Sequence, residues 1–172
     1  MIQISRKAID STLGELINDN ETRQLANAQL HSERRIKLEK PYLSKYIDSG
    51  IELLSRLPLD MGRLMCAGFR SGSVLTFRMI EEQLRLDGQQ SPDITREDVE
   101  RAGKGLDIAL ITGADSPAMT KLALIRAENP EFGDYVKRYV KSQAPNESIA
   151  TGFGLGVVTT YTAYEQAFQR PG

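Results

Sequence analysis

Two stretches separated by an 84-residue offset constrain this chain more than any other feature of it. The first is Ala67-Gly68-Phe69-Arg70-Ser71-Gly72-Ser73-Val74-Leu75-Thr76-Phe77, continuing to Glu81. The second is Thr151-Gly152-Phe153-Gly154-Leu155-Gly156-Val157-Val158-Thr159-Thr160-Tyr161, continuing to Glu165. In this register they share Gly68/Gly152, Phe69/Phe153, Gly72/Gly156, Val74/Val158, Thr76/Thr160 and Glu81/Glu165. On a helix Gly68, Gly72 and Thr76 fall on one stripe at i+4 spacing, and Gly152, Gly156 and Thr160 form its counterpart. A glycine inside a helix costs about 1 kcal/mol relative to alanine, so four of them require a compensating gain. Close backbone approach supplies one, because two helices bare of side chains at their contact can come nearer than the usual interaxial distance of about 8–10 Å. The expectation is a pair of central helices, over about 60–86 and 147–169, crossing closely in an imperfect internal duplication. A ligand pocket left by the missing side chains and a homodimer seam are the alternatives for the same glycines.

The rest of the chain reads as helix too. Pro41, Pro58, Pro92, Pro117, Pro130, Pro145 and Pro171 all fall between amphipathic patterns, where proline's missing N–H is tolerated. Residues 6–18 place Ile9, Leu13, Leu16 and Ile17 on one face, and residues 42–57 place Leu43, Ile47, Ile51 and Leu54 likewise. A highly charged helix over about 21–40 has only a thin apolar stripe of Leu25, Ala28 and Ile36, and Asn20 can cap it. Thr95 and Asp98 have capping-box spacing. The helix they open turns Val99, Ala102, Leu106 and Leu110 inward and ends at Gly113. Asp115 or Ser116 caps a short helix with Pro117 in its first turn. Residues 131–142 carry Phe132, Tyr135, Val136, Tyr139 and Val140, and Asn146 caps the last helix. No run of β-branched residues alternates with period two. The fold class is therefore all-α: residues 1–172 as one globular bundle of seven to eight helices.

Composition excludes several function classes. A net charge of -1 gives no global attraction to nucleic acid or membrane. The longest uncharged run, between Glu147 and Glu165, has 17 residues, short of the roughly 20 apolar residues that a membrane helix needs. Met1 to Lys7 has no apolar leader core. Cys66 and His31 are the single cysteine and histidine. A zinc site or a Glu-x-x-His di-iron pair has too few ligands, and no metal or other cofactor is implied. The lone cysteine is consistent with a cytoplasmic protein. Gly152-x-Gly154-x-Gly156 follows no strand, so it is not a dinucleotide-binding turn.

Two groups of residues are left as candidate sites. Arg70 interrupts the first glycine stretch and has Val74 where an i+4 acid would stand, so it either points to solvent or meets a distant carboxylate. Glu81 and Glu165, matched across the two copies, are the candidates if the partner is a carboxylate, and with Gly68, Gly72, Gly152 and Gly156 they define a pocket at the crossing if one exists. The second group is the basic segment 34–46: Arg34, Arg35, Lys37, Lys40 and Lys45, with Tyr42 and Tyr46 beside it. The plain reading of these residues is a charged helix facing solvent; the functional ones are contact with a protein partner, or with nucleic acid through phosphate pairing and base stacking. Because catalytic constellations are missing, the expected function is non-enzymatic: a helical protein-interaction or regulatory protein that binds a protein partner or itself. Nucleic-acid association through 34–46 and a small-molecule site or enzyme at the glycine crossing are the alternatives.

Overall fold

A computed structural model describes residues 2–18, 25–104, 116–142 and 146–170. Among the described residues there are eight helices and no strand: α1 (Arg6–Asn18), α2 (Leu25–Glu39), α3 (Pro41–Ser55), α4 (Leu59–Leu86), α5 (Arg96–Gly103), α6 (Pro117–Glu128), α7 (Pro130–Ser142) and α8 (Glu147–Gln169). The expected cap at Asn20, the inward positions Leu106 and Leu110, the stop at Gly113 and the alternative cap Asp115 lie outside the described residues, as do Pro145 and Pro171. So do the side chains of Leu16, Ile17, Leu25 and Ala28.

Local chemistry sets the helix ends. Thr95 Oγ1 accepts from the Asp98 amide while the Asp98 carboxylate accepts from the Thr95 amide, a complete capping box. Ser116 accepts from the Met119 amide and Asn146 from the Ile149 amide. Pro41 and Pro117 occupy first-turn positions, where their fixed φ suits the helix and no donor is lost.

The bundle is built around α8, whose residues from Gly152 to Glu165 are buried without interruption. A helix enclosed on every side needs partners all around it. The main partner is α4, and α3, α5, α6 and α7 complete the enclosure. At the α4–α8 contact the glycines replace side-chain packing with backbone packing. An ideal Cβ on Gly68 would lie 2.1 Å from the Ile149 carbonyl oxygen, and one on Gly152 would lie 2.1 Å from that of Met65. Cβ atoms on Gly72 and Gly156 would meet the carbonyl oxygens of Phe153 and Phe69, each at 2.2 Å. The contacts rise together along both helices, from Gly68 against Ile149 to Gly72 against Val157, so α4 and α8 run parallel. They are also reciprocal. The 84-residue offset turns Met65 into Ile149 and Phe69 into Phe153, and thereby converts each glycine contact into another of the four.

Polar side chains tie the crossing further along. Thr160 Oγ1 donates to the Ser73 carbonyl at 3.3 Å, and Ser73 Oγ donates to that of Gly156 at 3.5 Å. Aromatic rings fill the space beside it: Tyr139 stacks on Phe153 with centroids 3.8 Å apart, Phe132 on Tyr161 at 6.5 Å, and Phe77 meets Tyr164 at 6.4 Å. Gly50 of α3 leaves room for the Phe69 ring, which would come within 2.6 Å of a Cβ there. The N-terminal segment is strapped across one end. Tyr161 and Asn129 Nδ2 both donate to the Ile2 carbonyl at 2.7 Å, and the Ile4 amide donates to Asn129 Oδ1. Among the described residues no helix is long and apolar enough to cross a membrane.

Candidate functional site

The glycine faces of Gly68, Gly72, Gly152 and Gly156 are filled by the opposing backbone, which leaves no room there for a ligand. The candidate carboxylate partners of Arg70 are engaged elsewhere. Glu81 Oε2 accepts from Tyr164 OH at 2.8 Å and from Ser91 Oγ at 2.7 Å. Glu165, with a side chain only 7% exposed, pairs with Lys121 Nζ at 2.6 Å. Burial raises the Tyr164 phenol well above its usual value, and the Glu81 carboxylate adds to the shift. A neutral Tyr164 is therefore the donor that Glu81 requires.

The basic segment is divided by the fold. Arg35 pairs with Glu39 at 2.6 Å and lies over the Phe77 ring, 5.2 Å from its centroid. Lys40 is buried, and its ammonium donates to the Pro92 carbonyl. Lys45 sits over the Tyr42 ring at 5.5 Å. The Tyr46 hydroxyl is buried with no hydrogen-bond partner among the described residues, and burial pushes its pKa up to about 12. Arg35 and Lys40 thus serve the fold, and the two tyrosines do not form a stacking platform.

The remaining two cations of that segment, Arg34 and Lys37, meet Arg70 at one cleft between α2, α3 and α4. Neither charge nor packing in the sequence pointed to this meeting, because 33 residues separate Lys37 from Arg70. All three are exposed, and none forms a hydrogen bond or ion pair with another described residue. Glu33 and Asp48 also line the cleft without pairing to them. The floor is aliphatic: Ile36, Ile47, Ile51 and Val74, with Ile36 and Val74 buried in the main core. The cleft encloses about 230 Å³ and opens to solvent. Cys66 lies one helical turn before Arg70. Burial pushes its thiol up, the Arg70 charge pulls it partly back, and its Sγ contacts the Ile51 carbonyl at 3.5 Å.

A second hollow of about 440 Å³ lies where the C-terminal ends of α4 and α8 meet the N-terminal strap. Its carboxylates are already engaged. Asp87 accepts from Gln83 Nε2 at 3.0 and 3.1 Å, and Glu165 holds Lys121. Among the described residues no group of three His, Cys, Asp or Glu side chains is placed to hold a metal. No protein-family model, curated protein or solved structure matches this chain significantly.

Proposed function

We propose that this protein is a non-enzymatic binding protein whose working face is the cleft between α2, α3 and α4. The observation that carries the reading is the convergence of Arg34, Lys37 and Arg70, each without an ion-pair partner among the described residues, on one aliphatic floor. Exposed cations gain little for a fold, about 0–1 kcal/mol even when paired, and unpaired neighbours of like sign repel. Three of them around an apolar hollow suit recognition of an anionic group attached to an apolar body. The cleft presents guanidinium and ammonium donors, and its one hydroxyl, Ser44, is hydrogen-bonded to no base among the described residues, so binding fits its chemistry better than catalysis.

Backbone amide shifts during titration with pentanoate, and with pentylamine as the size-matched cation, test this reading. Pentanoate is expected to bind weakly and shift amides of α2, α3 and α4 around Arg34, Ile47 and Arg70. Pentylamine should leave them unmoved. Equal responses to the two probes, or pentanoate shifts scattered over the surface, would refute it.

A further inference from the structure

The cleft's size, charge pattern and rim together specify its occupant. An apolar cavity of about 150 Å³ accommodates a benzene, and ligand pockets for larger molecules span roughly 300–1,000 Å³. At about 230 Å³ the open hollow over Ile47 and Ile51 is larger than that benzene cavity and smaller than a pocket for a larger molecule, room for one or two apolar side chains. The lining carries both signs: Arg34, Lys37 and Arg70 share it with Glu33 and Asp48. A uniform polyanion such as a nucleic-acid backbone would bring phosphates against both carboxylates, whereas separate carboxylates spaced along a peptide can meet the cations singly. Among the described residues no aromatic side chain lines the cleft for a base to stack on.

The rim extends the surface beyond the hollow. On α2, Leu30 and Leu38 stand one turn to either side of Arg34, and they are 47% and 84% exposed. Leu38 is the most exposed large hydrophobic residue described. Leu30 also lines the hollow, so a free small acid seated there can reach it but would leave Leu38 in water, while a longer chain running along α2 would cover both.

Resting on the binding role assigned to the cleft, we propose that its occupant is an acidic, leucine-bearing segment of a protein partner. One aliphatic side chain of that segment seats over Ile47 and Ile51, flanking carboxylates pair with Arg34, Lys37 and Arg70, and further apolar residues cover Leu30 and Leu38. Because the pairing charges lie at an exposed rim, the attraction is salt-dependent and acts strongly on the association rate.

Calorimetric titration of the full chain tests the proposal with three probes: a short blocked peptide of Glu and Leu, its Gln-for-Glu counterpart, and a short oligothymidylate. The Glu peptide is expected to bind, with affinity falling about tenfold or more on Gln replacement and again in Arg34→Ala/Arg70→Ala. Arg138→Ala on α7 should leave binding unchanged. Leu38→Ser should weaken the peptide while the pentanoate shifts persist. Far-ultraviolet circular dichroism checks that each variant keeps its helices. Equal binding of the Gln peptide, or stronger binding of the oligothymidylate at the same cleft, would overturn the proposal. If pentanoate still shifts the cleft amides but no peptide binds, the peptide assignment falls and the binding role stands. If neither binds, both fall.

Discussion

Gly68→Ala is the smallest change that tests whether α4 and α8 touch through their backbones. The new Cβ would lie 2.1 Å from the Ile149 carbonyl oxygen and 2.8 Å from the Phe153 nitrogen. Ordinary contact begins at 3.4 Å, so the helices must part by about 1.3 Å, the difference between 3.4 and 2.1 Å. The obstacle is backbone on both sides, and no rotamer change relieves it. Overpacking costs about 1–3 kcal/mol, and the rigid obstacle places this case at the upper end. Alanine's higher helix propensity returns about 1 kcal/mol. The net loss is about 2 kcal/mol, which for a chain of this size lowers the thermal midpoint by about 4–8 °C. Thermal unfolding followed by circular dichroism reads it. Gly14→Ala is the control, since its Cβ would meet nothing within 4 Å on α1; it should be neutral or gain up to about 1 kcal/mol. Gly152→Ala should behave like Gly68→Ala, and the double variant should lose less than the sum, because the first substitution has already parted the helices. A midpoint raised by Gly68→Ala would refute the close crossing, because propensity alone would then be at work.

Two further perturbations probe the buried polar groups. Lys121→Ala leaves the Glu165 carboxylate, 7% exposed, without its cation; the expected loss is about 1–3 kcal/mol by chemical denaturation, with recovery in Lys121→Met/Glu165→Gln, and no loss would mean that water already solvates Glu165. The buried tyrosines predict an alkaline transition. Burial pushes Tyr46 and Tyr161 up to about 12, and Tyr164 well above its usual 10. A phenol whose folded pKa is raised contributes stability that is complete below the unfolded value and is lost as pH rises from there through the folded value. Tyrosinate absorbance should therefore grow together with loss of helical dichroism above about pH 10. Ionisation of all the tyrosines near pH 10 with the helices intact would contradict it.

Much of the fold was legible because it rests on local chemistry. The Thr95/Asp98 box, the Asn146 cap and the first-turn Pro117 are short-range signals, and the structure has them where the sequence places them, with Ser116 as the cap before Pro117. The glycine stripe announced a close crossing because only a tertiary gain offsets its helix cost. What the stripe could not announce was direction. Parallel and antiparallel pairs use the same spacing, and only the three-dimensional pairing of Gly68 with Ile149 and Gly72 with Phe153 distinguishes them.

The candidate site was less legible. Arg70 stood out as a residue that packing does not explain, facing either solvent or a distant carboxylate, and it is exposed. The repeat suggested Glu81 and Glu165, which Tyr164, Ser91 and Lys121 occupy instead. Arg34, Arg35, Lys37 and Lys40 looked equivalent as a run of charge. Helical phase separates them: Arg35 rests on Phe77, Lys40 turns inward to Pro92, and Arg34 and Lys37 reach the cleft. The sequence carries no sign of which charges find a partner in the fold, since that depends on contacts across helices.

The cleft's role can be tested before any partner is known. If Arg34, Lys37 and Arg70 are kept for binding, removing their charges relieves repulsion and breaks no hydrogen bond or ion pair among the described residues. The thermal midpoint of Arg34→Gln/Lys37→Gln/Arg70→Gln is the direct measurement. It should stay within about 2 °C of the parent chain or rise, the scale of isolated surface charges. A fall of about 6 °C or more, beyond what surface substitutions produce, would show that these cations hold the fold together and would contradict their assignment to a binding face.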